Sequence, residues 1–273
     1  MADMSVDDYL TARFREFVAC AHCDDGAVAP RVPYRWQCRL MLNVARHGRR
    51  PDRIVAPTAA GKTSVIDVHV FLNAMAGLQH QAEKNPDLCD VDGIAYADAL
   101  AQVPLQRIPR RLALTVNRRS LVDDQYEEAT ALERVITTRN KDDTDSSSVL
   151  GEFRRGLCYR AGIDVSAQVV GDGVPLRVVE LRGGLASTSE SREWRYYPQT
   201  CAVICATPDM FGSRLLFRGY GTSATMRSLE AGLLAYDTVL VADEAHLSRQ
   251  LVLTARQVQR LESMAECDSI RAA

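Results

Sequence analysis

"IVAPTAAGKTSVI", residues 54–66, is the stretch whose reading decides the fold. An apolar run, a turn of small residues and a Gly-Lys-Thr ending stand directly before Val65, Ile66, Val68, Phe71, Leu72 and Met75, an apolar segment of helical character. A strand, a tight turn and a helix in immediate succession aim backbone N–H groups and a helix N-terminus at one point, where phosphate oxygens bind. In such a loop Lys62 neutralises the outer phosphates and Thr63 holds Mg²⁺, with Thr58, Ala59, Ala60, Gly61 and Ser64 completing the cradle. Ala56 and Ala59 stand where glycines are common. Alanine resists positive φ, so the turn must run through other conformations. Of the 33 basic residues only Lys62, Lys84 and Lys141 are lysines. A chain that uses arginine nearly everywhere keeps a lysine here, where a compact ammonium fits and a planar guanidinium does not. The alternative for this stretch is an ordinary strand–helix turn.

Working outward, five short runs read as buried strands: "RIVA" (53–56), "LALTV" (112–116), "LRVVEL" (176–181), "CAVICA" (201–206) and "TVLVA" (238–242). They are apolar on nearly every residue, the pattern of strands covered on both faces in a parallel sheet. Helical spacing lies between them, for example at Leu121, Val122, Tyr126, Ala129, Leu132 and Val135. The alternation predicts an α/β, doubly wound, mostly parallel sheet. Residues 1–50 read as a helical segment with an apolar face of Leu10, Phe14, Phe17 and Val18, preceding a nucleotide-binding lobe over 51–273. The charged, serine-rich stretch 137–149 reads as a mobile loop.

The 273 residues are 47% hydrophobic with net charge −2, which excludes a globally basic nucleic-acid coat but not a local basic groove. No apolar run approaches a membrane span, and the start "MADMSVDDYL" has no leader character. Eight scattered cysteines then predict reduced thiols and a cytoplasmic protein. The Cys20/Cys23 pair has no second pair at zinc-finger spacing.

"TVLVADEAHLS", residues 238–248, is the acidic counterpart of the loop. ATP chemistry needs a carboxylate at a strand end to help hold Mg²⁺ and a neighbour to orient the attacking water. Asp243 fits the first role and Glu244 the second, while His246 is placed to couple the nucleotide to another element. Alone, the tetrapeptide could equally be a helix start with acids favoured by the dipole.

With those motifs in order, the chain resembles the first motor lobe of a superfamily 2 DEAD/DEAH-type helicase. "PYRWQCRL" resembles the glutamine motif, which implies that Gln37 reads adenine beside Tyr34 or Trp36. "LALTVNRRSLVDDQ", "ELRGG" and "CATPDMFGSRLLFRGYG" resemble the strand-contacting motifs, which implies contacts from Asn117, Arg118, Arg119, Arg182, Gly183, Thr207, Pro208 and Asp209. "VNRRSLVDDQ" and "TPDMFGSRLLFRGYG" resemble more narrowly the CRISPR-associated helicase–nuclease of type I systems, in the subtype with a C-terminal HD nuclease. The resemblance spans about residues 30–250. It implies a P-loop NTPase (RecA-like) lobe that uses ATP and Mg²⁺ to move along single-stranded DNA opened by a guide-RNA surveillance complex.

Downstream of "LVLTARQVQRLESM" no Ser/Thr-Ala-Thr motif follows, and a second lobe with its arginines and an HD nuclease are not found in these 273 residues. The sequence is therefore expected to be a fragment that binds nucleotide and strand but unwinds little alone. Another superfamily 2 helicase or a restriction-type translocase is the nearest alternative. A catalytically inactive nucleotide- or DNA-binding module and a P-loop kinase or transport ATPase are the alternatives of other classes.

Overall fold

The computed structural model describes residues 4–23, 30–56, 60–138, 148–163, 174–183 and 194–264. The chain forms two compact units. One comprises Met1–Ile108 and Ala131–Leu176, the other Pro109–Thr130 and Arg177–Ala273.

The first unit is helical. Helix α1 (Val6–Ala21) starts where Ser5 accepts a hydrogen bond from the Asp8 N–H, and buries Leu10, Phe14, Phe17 and Val18. Helix α2 (Arg35–His47) ends on Gly48 in the left-handed conformation. Helix α3 (Val65–Ala82) is buried at every position from Val65 to Leu78, so it carries apolar residues all round and forms the axis of the unit. A short helix α4 (Tyr96–Ala99) follows within the stretch 80–108. Helix α6 (Val149–Ala161), capped by Ser148, crosses α3 at very short range. A Cβ on Gly77 would lie 1.8 Å from the Gly156 carbonyl oxygen, and one on Gly156 would lie 2.3 Å from that of Ala74. Only glycine lets the two backbones meet. Beside this crossing Phe71 is ringed by Phe14, Phe17 and Phe153 at centroid distances of 5.2, 5.9 and 5.5 Å. Such tilted aromatic contacts add to the area they bury.

The second unit carries a four-stranded sheet in the order β2-β3-β1-β4, with β1 (Arg111–Thr115), β2 (Leu176–Leu181), β3 (Cys201–Ala206) and β4 (Thr238–Ala242). Strand β1 runs parallel to β3 and to β4, in a register that sets Thr115 opposite both Ala206 and Ala242. Helix α5 (Arg119–Thr138) follows β1 and helix α7 (Pro208–Leu215) follows β3. Helix α8 (Ala224–Tyr236) precedes β4 and helix α9 (Arg249–Ser263) follows it. The α/β class and the parallel strands agree with the sequence, and four of the five expected strands form within one residue of their predicted limits.

The exception is Arg53–Ala56. These residues are irregular backbone, with Val55 77% exposed. An apolar run of three residues, Ile54, Val55 and Ala56, between Pro51 and Pro57 has strand propensity, but a strand also needs a neighbour to pair with. The middle strands β1 and β3 are buried throughout, whereas every residue of β4 is half-buried. At its start Asp237 ties β4 to β1: its carboxylate accepts from the Arg110 N–H at 2.8 Å and lies 3.2 Å from the buried Arg111 guanidinium. Most of the expected mobile loop, 139–147, lies outside the described residues, while Thr137 and Thr138 end α5 and Val149 opens α6.

Candidate functional site

In the helical unit, the described part of the loop begins at Ala60; Thr58 and Ala59 lie outside the described residues. Gly61 takes φ +66°, and Lys62–Ser64 form a single 3-10 turn that runs into α3. A Cβ on Gly61 would sit 3.1 Å from the Gln37 amide nitrogen and 3.2 Å from the Tyr34 ring, so both the torsion and the crowding require glycine. Lys62 is exposed and Thr63 half-buried.

Side chains from the start of α2 hold this turn. The Trp36 indole donates to the Ala60 carbonyl at 2.9 Å, and the Gln37 amide donates to the Gly61 carbonyl at 3.2 Å. The Gln37 carbonyl oxygen accepts from the Tyr34 N–H at 2.7 Å, closing the cap of α2. Gln37 is thus buried, with both ends of its amide engaged inside the chain. A further chain of contacts reaches the turn from α1: the Arg31 guanidinium donates to the Ser64 hydroxyl at 3.2 Å and meets His22 at 3.1 Å, and His22 meets Asp67 of α3 at 2.9 Å. Sequence reasoning placed Gln37 and Trp36 near the loop but missed Arg31, whose only signal is its closeness to the glutamine motif.

In the sheet unit, the strands β1, β2, β3 and β4 end on Thr115, Leu181, Ala206 and Ala242, and the residues that follow them carry the expected motifs. Asn117, Arg119, Arg182, Gly183, Thr207, Pro208 and Asp209 all line one groove of about 1360 Å³. The crevice beyond the carboxyl ends of parallel strands is where α/β sheets take ligands. Arg118 is the exception among the expected contacts. It caps α5 through its carbonyl, which accepts from Leu121 and Val122, and it does not line the groove.

Local chemistry fixes each wall. Thr207 extends the ladder by donating its N–H to the Leu181 carbonyl at 3.1 Å and then caps α7, with Pro208 in the first turn where its missing N–H costs nothing. Arg182 is held by Glu180 at 2.5 Å and Asp123 at 2.7 Å. Burial, reinforced by a hydrogen bond with Asp123 and opposed by Arg182, raises the Glu180 carboxyl above its usual range. The Asn117 amide donates to the Ser248 hydroxyl at 3.0 Å, joining the segment after β1 to the segment after β4.

Asp243 continues the ladder, its N–H donating to the Thr115 carbonyl at 2.9 Å, and its carboxylate accepts from the Glu244 N–H at 2.9 Å. Glu244 has φ +49° and is exposed, as are Ala245 and His246. A glutamate in the left-handed region is uncommon and carries local strain, of the kind that collects at functional turns. No group of three or more His, Cys, Asp or Glu side chains is poised to hold a metal among the described residues.

The groove has members that motif matching did not single out: Arg214, Arg218, Tyr220, Ser248 and Arg249. For Arg214, Arg218 and Tyr220 the signal in the sequence is the run "SRLLFRGYG", which mixes arginine, aromatics and glycine in a turn, while Ser248 and Arg249 stand just after the acidic motif.

No protein-family model matches the chain, and neither the curated proteins nor the solved structures yield a match.

Proposed function

We propose that the chain is the ATP-binding lobe of an ATP-dependent single-stranded-DNA translocase of helicase superfamily 2, acting in CRISPR interference. The observation that carries this reading is the groove. Seven residues picked from separate sequence motifs line a single crevice at the carboxyl ends of the strands. Backbone amides, hydroxyls and arginines at such a place grip phosphates without reading bases. The exposed Lys62 beside Gly61 fits a nucleotide phosphate, and Thr63 offers a hydroxyl of the kind Mg²⁺ takes when phosphates and water supply most of its shell. Bound Mg·ATP would supply the energy of movement. The chain's own part is to seat the phosphates with Lys62, to lend an oxygen from Asp243 and to orient water with Glu244.

On this reading the partners are single-stranded DNA, a guide-RNA surveillance complex, a second lobe and an HD nuclease domain. A second reading is favoured by β4, which pairs with β1 alone among the described residues and is half-buried along its whole length. An ATPase sheet open at the strand bearing Asp243 would bind nucleotide or strand without turnover. Steady-state ATP hydrolysis separates the two. Hydrolysis stimulated by single-stranded DNA supports the translocase, and binding with no hydrolysis by the 273 residues leaves the module. Failure to bind any single strand at low salt would overturn the translocase and revive a P-loop kinase or transport ATPase.

A further inference from the structure

The turn between α7 and α8 shows its largest side chains to solvent. Leu216, Phe217 and Tyr220 are 53%, 58% and 65% exposed. Their backbone is nevertheless held firmly. Arg218 donates its N–H to the Ser213 carbonyl at 2.7 Å and Phe217 donates to that of Arg214 at 3.1 Å, the paired bonds of a Schellman helix end. In that motif the residue in the left-handed conformation is usually glycine. Here it is Phe217, at φ +61°. A bulky residue in that region is strained, and the strain has no structural return, because the ring it places is exposed.

What holds the turn lies beneath it. Glu230 is buried and ion-paired with Arg195 at 3.1 Å, and it accepts from the Thr222 hydroxyl at 2.8 Å. Arg214, also beside Glu230, donates to the Tyr220 carbonyl at 3.3 Å. Gly219 presses onto this cluster, since a Cβ there would come within 2.9 Å of Glu230 and of Thr222. The turn is thus a ridge with a fixed base and an apolar crest.

The ridge separates two hollows. On one side lies the strand-end groove, to which Leu216, Arg218, Tyr220 and Gly221 contribute. On the other lies a hollow of about 680 Å³, bounded by Phe217, Arg218, Tyr220 and Arg227 among others, with no carboxylate in its lining. Exposed rings beside unopposed guanidinium groups suit a ligand that is flat and anionic at once. A nucleobase with its phosphate has that chemistry, and stacking on aromatics beside a basic track is how single strands are held without regard to sequence.

We propose that the ridge Leu216–Gly221 is a stacking element for single-stranded nucleic acid, on which Phe217 and Tyr220 hold unstacked bases while Arg218 and Arg227 hold the flanking phosphates. This rests on the reading of the groove as a strand-binding crevice. The ridge would catch the strand as it leaves that groove, and the strained torsion of Phe217 is the cost of setting a ring there beforehand.

The test titrates the full chain at low salt with a labelled oligothymidylate of about 12 nucleotides and with an abasic strand of the same length. Phe217→Gly is the first variant, because glycine relieves the left-handed strain and so keeps the fold while removing the ring. Tyr220→Leu is the second. The wild type should bind the oligothymidylate about tenfold more tightly than the abasic strand, and each variant should lose most of that preference while keeping its affinity for the abasic strand. Equal binding of both strands by the wild type, or an unchanged preference in both variants, would overturn the ridge and leave the groove standing. Binding of neither strand would overturn the reading of the groove, and the ridge with it.

Discussion

The Gly61–Ser64 turn and the strand-end groove were both expected to meet phosphate, yet they are built in opposite ways. The turn is closed by its own chain: Trp36 and Gln37 bond its carbonyls and Arg31 bonds the Ser64 hydroxyl. The groove is open, and its residues come from four separated segments aligned by a parallel register. A site made of one segment needs neighbours to fix its backbone. A site made of many segments is fixed by the sheet, and here its side chains are held by one another, Arg182 by Glu180 and Asp123 and Asn117 by Ser248.

The turn is itself carried by the helical frame in which α3 meets α6. The largest effect belongs to that frame. Gly77→Val should cost about 3 kcal/mol or more, because the new side chain cannot avoid the Gly156 carbonyl, and thermal melting would show it as a large fall in Tm. Only wild-type stability in that variant would mean that α3 and α6 are not in such close contact.

Next comes Lys62→Ala, which should weaken Mg·ATP binding tenfold or more in titration calorimetry while leaving strand affinity unchanged, since the lysine belongs to the turn and not to the groove. Equal losses for both ligands would erase the distinction between the sites.

A smaller effect belongs to the groove. The folded Glu180 carboxyl titrates above its unfolded value, so the folded state binds this proton more tightly. Its contribution to stability grows as pH falls through the raised value and is lost as pH rises. Protonation also removes a negative charge beside Arg182. Strand affinity should therefore rise a few-fold as pH falls through that window, and Glu180→Gln should flatten the trend. A wild-type affinity indifferent to pH would show that Glu180 does not face the strand.

The smallest change is Trp36→Phe, which keeps the ring and deletes the donor to the Ala60 carbonyl. It should lower stability by roughly 1 kcal/mol and loosen the turn, seen as faster hydrogen exchange at Gly61 and Lys62.

Much of the sheet unit was legible because its signal is local. Runs such as "CAVICA" read as buried strand, and the motif residues follow such runs directly, so topology alone brought Asn117, Arg182 and Thr207 to one groove. Arg53–Ala56 was misread because the same local signal needs a partner strand that the sequence does not specify. Gln37 was expected to face a base, and its engagement with Tyr34 and Gly61 depends on how α2 meets the turn, which no spacing encodes. The Gly77–Gly156 crossing was invisible for a related reason, since two isolated glycines 79 positions apart announce nothing until the helices are placed. Phe217 was quoted within a motif, but its significance lies in a torsion, and torsions of that sign are read from sequence only at glycine, asparagine or aspartate.

On the proposed reading, the groove beyond β1, β2 and β3 grips the phosphates of a single strand. The most direct test is the salt dependence of oligothymidylate binding by the wild type and by the double variant Arg119→Ala, Arg182→Ala. Each lost phosphate contact should make the slope of log affinity against log salt shallower by about 0.7, so the double variant should change it by about 1.4. A slope that is unchanged in the variant, or a wild type that binds no strand at low salt, would contradict the account.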